Sequence, residues 1–410
     1  MHVTAHLDVD LVAVQQPDRV TVMLELLAPV EPPAAARPPA TVQIVLDRSG
    51  SMASGDRLGA ARTALAALVD RLDPRDAFGL VTFDDAVDVA VPAGRLTDKP
   101  AVKAAVAAVD AGGTTNLSAG LLRGVQEARR AAAGGGATLL LISDGMANQG
   151  VTDAVRLEAV AATARRRGGV TTSTIGVGLG YDDTVLAALA RGGQGDHVFA
   201  EGADAAAAAV AGEVEGLLHR TVQAASLLVR PTGDVRGVQL YNDLAARAVP
   251  GGVMVELGDL WAGERRRLLL ALDVPAIAAL GLAQVATLEL RYVALPTLAE
   301  QAVTLPVSVN VVPGDRAAGR IPDPTVRTEL LFQQAQDAKR RAADAIAHGD
   351  ERAALTLLAD AGARLAGVDE DERRAVLGLA SDIGAGRASR AAKRSRMEHH
   401  AKSRRRGRGM

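Results

Sequence analysis

Apolar and polar positions recur with two different periods along this 410-residue chain, and each change of period marks a change of architecture. Residues 3–11 alternate (Val3, Ala5, Leu7, Val9, Leu11), and so do Val20, Val22, Leu24 and Leu26. Period two with polar residues between predicts half-buried antiparallel strands within 1–30. Glu31-Pro32-Pro33 through Arg37-Pro38-Pro39 predicts a stiff, extended linker over 31–40. From 41 to 218 compact apolar runs take turns with helical patterns. Strands are predicted near 41–47, 78–83, 86–91, 138–143, 170–177 and 197–200, and helices near 56–71, 98–109, 116–132, 152–167, 182–191 and 204–218. That alternation predicts a doubly wound, mostly parallel sheet. The gap between Phe83 and Val87 is too short for a crossover helix, so one edge strand must run antiparallel.

Over 221–312 the period returns to two, in Val253, Val255 and Leu257, in Leu288, Leu290 and Tyr292, and from Val303 to Val311. Gly and Pro punctuate these runs, which predicts an antiparallel β-sandwich. Two N-terminal strands cannot form a stable sheet alone. They are expected to complete this sandwich, with the α/β domain inserted between its halves. Asp323-Pro324, Gly349-Asp350 and the Asp369/Glu372 capping-box pattern predict two or three helices over 322–385.

Composition narrows the picture. The chain is 48% hydrophobic but 2% aromatic, so its cores must be built from Ala, Val and Leu. Cys is absent, which excludes disulfides, thiolate metal sites and Cys nucleophiles and suits a reducing cytoplasm. Met1-His2-Val3-Thr4 opens no recognisable secretory signal, and no uncharged apolar run is long enough to span a membrane. The net charge of −2 hides an asymmetry, because residues 386–410 carry ten Lys/Arg and one Glu. This segment is expected to be a disordered basic tail.

The candidate chemistry sits at strand ends. Thr41-Val42-Gln43-Ile44-Val45-Leu46 reads as a strand buried on both faces, and Asp47-Arg48-Ser49-Gly50-Ser51-Met52 follows at its carboxyl end, where open α/β sheets bind ligands. One carboxylate and two hydroxyls close together supply oxygen ligands of the kind that Mg²⁺ takes. Gly112-Gly113-Thr114-Thr115-Asn116-Leu117 leads into a helix, and Leu139-Leu140-Leu141-Ile142-Ser143-Asp144-Gly145 is a second buried strand ending in an acid.

Together the three segments resemble the metal-ion-dependent adhesion site of von Willebrand factor type A domains, which joins Asp-x-Ser-x-Ser, a Thr, and an Asp-Gly after a strand. The likeness extends over 41–218 and includes Asn148-Gln149-Gly150 and Thr174-Ile175-Gly176-Val177-Gly178. Ala342 through Gly349-Asp350 to Leu358 resembles the helical appendage of bacterial proteins of this type. The resemblance implies that Ser49 and Ser51 contact a cation directly and that Asp47 and Asp144 supply charge, partly through water. Thr114 and Thr115 compete for the remaining position, and the family pattern favours Thr115. It further implies Mg²⁺, with Mn²⁺ an equally acceptable oxygen-loving ion, and a partner protein whose Asp or Glu completes the coordination. Arg48 departs from the family's small or apolar residue. Met52 and Met146 flank the loops, either as an apolar rim or as local packing.

Catalytic alternatives fit less well. A haloacid-dehalogenase-like phosphatase needs a second acid where Ser49 stands. No P-loop and no Gly-x-Ser-x-Gly elbow occurs. Gly176-Val177-Gly178-Leu179-Gly180 lacks Rossmann spacing and suits a strand-end turn. His197 and His219 have no partner His at metal-ligand spacing and read as structural, while His399-His400 could at most hold a metal loosely. The sequence thus predicts a non-enzymatic, cytoplasmic, Mg²⁺-dependent protein-binding adaptor. The alternative is an adaptor whose basic tail binds a polyanion such as nucleic acid or an anionic membrane.

Overall fold

The structure, a computed structural model, describes residues 1–30, 37–132, 135–233, 235 and 237–404. The expected linker therefore lies outside the described residues over 31–36, and the basic tail over 405–410. The chain divides into two compact units, Pro33–His219 and a discontinuous one made of Met1–Pro32 with Arg220–Met410.

The discontinuous unit begins with β1 (His2–Leu7), β2 (Leu11–Ala13) and β3 (Asp18–Leu27). The alternation over 3–11 does not run as one strand. The Asp8 carboxylate accepts from the backbone N–H groups of Val9 at 2.8 Å and Thr21 at 2.7 Å, and this turn sends β1 and β2 to different sheets.

The inserted unit contains β4 (Thr41–Asp47), α1 (Arg57–Arg71), β5 (Ala77–Phe83), β6 (Val87–Arg95), α2 (Lys99–Ala107), α3 (Leu117–Ala132) and β7 (Ala137–Ser143). It continues through α4 (Ala154–Gly168), β8 (Val170–Val177), α5 (Asp183–Gly193), β9 (Gln194–Ala200) and α6 (Ala203–Leu218). The strand order is β6-β5-β4-β7-β8-β9, parallel except for β6, which pairs antiparallel with β5 as the short connection requires. Val42, Ile44 and Leu46 of β4 share a core with Leu58, Leu65 and Leu68 of α1 and Val210 of α6. Helix α3 covers the opposite face. A Cβ added at Gly124 would lie 2.2 Å from Val45 Cγ2, so the helix backbone rests directly on the central strand. The order reverses on either side of β4, which makes its carboxyl end the switch point of the sheet.

The sandwich resumes with β10 (Arg220–Pro231), β11 (Val238–Leu240), β12 (Ala246–Val249), β13 (Gly252–Trp261), β14 (Arg265–Val274), β15 (Gly281–Ala294) and β16 (Ala299–Val312). Its two sheets run β1-β3-β14-β11 and β12-β13-β10-β15-β16-β2. Leu24 and Leu26 of β3 and Leu268 and Leu270 of β14 meet Leu227, Val229, Leu257, Leu288 and Val309 in one core. The expected insertion of an α/β domain into a β-sandwich is thus what the chain does. One pair departs from an antiparallel sandwich, since β2 runs parallel to β16.

A short helix α7 (Gly314–Ala318) precedes α8 (Pro324–Ala347), α9 (Glu351–Leu365), α10 (Glu370–Gly384) and α11 (Ala388–Arg404). Asp323, Asp350 and Asp369 each accept backbone N–H groups as N-caps, as the sequence predicts. Glu372 has a different task from the expected capping box. Its carboxylate lies 2.5 Å from the fully buried Lys339 amine and 3.0 Å from Lys402.

The expected disordered tail is overturned over 388–404, where α11 is a helix packed into this unit. Its charges have partners in the protein's own acids. Arg387 and Arg394 pair with Asp382, Arg396 with Asp344, and Lys402 with Glu372 and Glu398. Ser403 accepts at its carbonyl from Asn242 Nδ2 at 2.6 Å, and its hydroxyl donates to Gln333 Oε1 at 2.9 Å. His399 and His400 are buried against Asp243, at 3.4 and 3.7 Å, and are not a loose metal site in a tail. Burial pushes the Asp243 carboxyl up, but the two imidazoles reverse this and hold it far below the usual carboxylate range.

Two predictions follow from this packing. Residues 33–219 should fold alone, while 220–312 without β3 should aggregate because β14 becomes an open edge over a half-built core; circular dichroism and gel filtration of the fragments check this. Burial also raises the Glu372 carboxyl, but Lys339 and Lys402 outweigh that and lower it from 4.5 to about 2. Its contribution is therefore complete above pH 4.5 and lost as pH falls through about 2. Urea denaturation should show wild type more stable than Glu372→Gln at pH 7, with the gap narrowing by up to roughly 3 kcal/mol near pH 2.

Candidate metal centre

Backbone pairing of the central strands brings the two acids together before any side chain is considered. Strands β4 and β7 run parallel with Leu46 opposite Ile142, so Asp47 stands beside Ser143 and Asp144 follows at the strand's end. Both carboxylates are buried, Asp47 at 0% and Asp144 at 1% exposure. Ser143 Oγ donates to Asp47 Oδ2 at 2.6 Å, and the Ser49 N–H donates to Asp47 Oδ1 at 2.8 Å. Burial raises the Asp47 carboxyl above its usual range despite these hydrogen bonds, and the nearby Asp144 charge adds to the effect.

Three loops are tied to one another through their backbones. The Gly50 N–H donates to Gly113 O at 3.2 Å and the Gly112 N–H to Arg48 O at 2.8 Å, which joins the first loop to the second. Asn148 and Gln149 N–H groups both donate to Thr115 O, and Thr115 N–H donates to Asn148 Oδ1 at 3.0 Å, which joins the second loop to the third. Asn116 then caps α3 by accepting from the Ala119 N–H at 3.2 Å.

All five residues expected at the site fall in this ring. Ser49 Oγ and Ser51 Oγ are 3.2 Å apart, and Ser51 Oγ donates to Asp144 Oδ1 at 2.7 Å. Thr115 is 4% exposed, whereas Thr114 is exposed and its hydroxyl accepts from Gln149 Nε2 at 2.7 Å. A Cβ placed on Gly145 would lie 3.2 Å from Thr115 Oγ1, 3.5 Å from Ser51 Oγ and 3.7 Å from Asp47 Oδ2. The missing side chain at 145 leaves a small cradle bounded by three of the five donors. Two carboxylates and three hydroxyls form an all-oxygen set, which fits a hard divalent cation and lacks the nitrogen or sulfur that softer metals prefer.

Some neighbours differ from expectation. Met52 is wholly buried in the core beside α1, so it forms no rim. Met146 is 57% exposed, and Leu179 on the loop after β8 is exposed as well. Arg48 pairs with Asp84 at 3.2 Å and Asp88 at 2.6 Å, away from the acids of the site. His197 is structural, with Nδ1 3.0 Å from Thr174 Oγ1. Gly178 takes φ +74° in a turn after β8, as expected for that glycine run. Sequence reasoning missed Arg57, whose guanidinium pairs with Asp144 Oδ2. Its position on the predicted helix gave no signal, because the contact spans two elements far apart in sequence.

For a divalent cation held in this ring, Gly145→Ala should weaken binding at least about tenfold while staying folded, since its backbone is not in the left-handed region and the new methyl crowds the ring oxygens. Calorimetric titration together with thermal denaturation reads both effects.

The family model of the von Willebrand factor type A domain matches residues 42–210. Among curated relatives, the uncharacterized protein YfbK of Escherichia coli is 32% identical over 164 residues, covering 40% of this chain and 28% of that protein. The uncharacterized protein sll0103 of Synechocystis sp. is 28% identical over 248 residues, covering 58% of this chain and 57% of that one. The chain thus spans less than two thirds of either relative. Two solved structures share the fold over most of their length. A von Willebrand factor type A protein from Catenulispora acidiphila superposes with TM-score 0.72 at 17% identity, covering 90% of this chain and 87% of that one. The ArnB paralog VWA2 from Sulfolobus acidocaldarius gives 0.68 at 13% identity and covers 99% of each chain.

Proposed function

Because residues 42–210 of this chain are a von Willebrand factor type A domain, we propose that it is a Mg²⁺-dependent, non-enzymatic adaptor binding an acidic residue of a partner protein. Such domains are commonly protein–protein interaction modules. The observation that best supports the reading is the convergence of Asp47, Ser49, Ser51, Thr115 and Asp144 around the cradle at Gly145. In this reading the three hydroxyls face the cation and the two carboxylates balance its charge, directly or through water. Mn²⁺ satisfies the same donors. The cation supplies an open coordination position. With Asp47 and Asp144 ionised and Arg57 beside them, the loaded site keeps a net positive charge that an external carboxylate meets. Exposed Met146 and Leu179 offer apolar contact at the same end of the sheet.

The setting is read as cytoplasmic, on the absence of Cys. No helix among the described residues is long and apolar enough to cross a membrane. Polyanion binding through the basic segment gains no support, because the acids that meet its described charges belong to this protein.

Asp47→Ala is expected to remove most Mg²⁺ affinity, and Ser49→Ala or Ser51→Ala to weaken it less, since water can replace a neutral ligand. Affinity capture from lysate should release the partner on chelation and fail with Asp144→Ala. Thr115→Ala should weaken capture more than Thr114→Ala. Changing the partner's key acid to its amide should also break the complex. Capture that persists unchanged in chelator would overturn the reading.

A further inference from the structure

Arg57 is the first residue of α1, where a cation opposes the positive end of the helix dipole. The N-cap Asp56 carboxylate folds over that turn at Gly59, where an added Cβ would stand 2.1 Å from its Oδ1, yet the guanidinium of Arg57 pairs with Asp144 instead. The chain before it is shaped to deliver the side chain elsewhere. Ser54 is extended, and Gly55 and Asp56 both take left-handed φ, at 60° and 55°, which breaks the 3₁₀ turn Gly50–Asp56 from α1. Arg57 then reaches the fully buried Asp144 carboxylate, with its own side chain 28% exposed. The guanidinium also packs on Gly178, where an added Cβ would stand 3.0 Å from Nη2. Asp144 Oδ1 takes the Ser51 hydroxyl, and Oδ2 takes Arg57.

Building on the metal-site reading above, we propose that Arg57 is a tethered counter-cation: it neutralises Asp144 when no metal is bound and so weakens divalent-cation binding. Two buried carboxylates at neighbouring strand ends repel each other, and one fixed guanidinium halves their net charge. A divalent cation entering the oxygen ring meets that positive charge at close range. The site consequently holds metal loosely by itself, and an incoming carboxylate relieves the repulsion between Arg57 and the ion. Metal and partner binding become mutually reinforcing through one side chain.

The test is calorimetric titration of the full-length protein with MgCl₂, in wild type, Arg57→Gln and Arg57→Lys. Arg57→Gln should bind Mg²⁺ at least about tenfold more tightly, and Arg57→Lys should stay near wild type, because charge and not shape sets the effect. Thermal denaturation gives a second reading. Without metal Arg57→Gln should melt below wild type, and saturating Mg²⁺ should raise its midpoint further than it raises that of wild type. Arg57→Met keeps the apolar stem and serves the same purpose if the Gln variant folds poorly. Equal or weaker Mg²⁺ binding by the neutral variants, with wild type binding normally, overturns the counter-cation role alone. Absence of Mg²⁺ binding in wild type and variants overturns the metal-site reading and this inference with it.

Discussion

Two carboxylates buried side by side at the ends of β4 and β7 are the constraint on which the rest of this α/β domain depends. Water would separate like charges, yet the parallel register of the two strands fixes Asp47 and Asp144 in neighbouring positions. Everything around them offsets that repulsion. Ser143 and the Ser49 N–H donate to Asp47, while Ser51 and Arg57 donate to Asp144. An apolar sheet does not need such an arrangement for its stability. On the proposed reading, the polar ring prepares for a charge that arrives from outside.

Rigidity of that ring comes from its backbone. Each loop donates to or accepts from the next through main-chain groups, so the hydroxyls are held by segments that have little freedom to move apart. Helix α3 contributes by resting its glycine-bearing face on β4 and β5, with Thr115 held just before its cap at Asn116. On the proposed reading, ordering entropy is met during folding and not at the moment of binding.

The discontinuous unit follows a different logic. Its sandwich is ordinary in its alternation, but its C-terminal helices enclose ions. Lys339 is wholly buried between Glu372 and Glu398, and Lys402 closes the group. Such a cluster costs desolvation, which the close pairing of its four charges offsets. It gives α11 one seat, with Ser403 and the His399/His400 pair fixing its far end against Asn242 and Asp243. A helix with this much positive charge would not hold its place on apolar contacts alone.

By itself the sequence determined the periodicities, and with them the strands, the helices, the sandwich and the inserted sheet. It also determined the three loops, because Asp47-x-Ser49-x-Ser51, Thr115 and Asp144 are local patterns at strand ends. N-caps such as Asp323 and Asp350 were legible for the same reason, since a cap acts within four residues. What only the tertiary structure decided were contacts between distant charges. Arg57 sits 87 residues from Asp144, and Lys339 lies 59 residues from Glu398. The run of Lys and Arg at the C-terminus looked disordered because composition counts charges without their partners. Folding brought Asp344, Glu372 and Asp382 to meet them, and a paired charge can be ordered where an unpaired one stays in water.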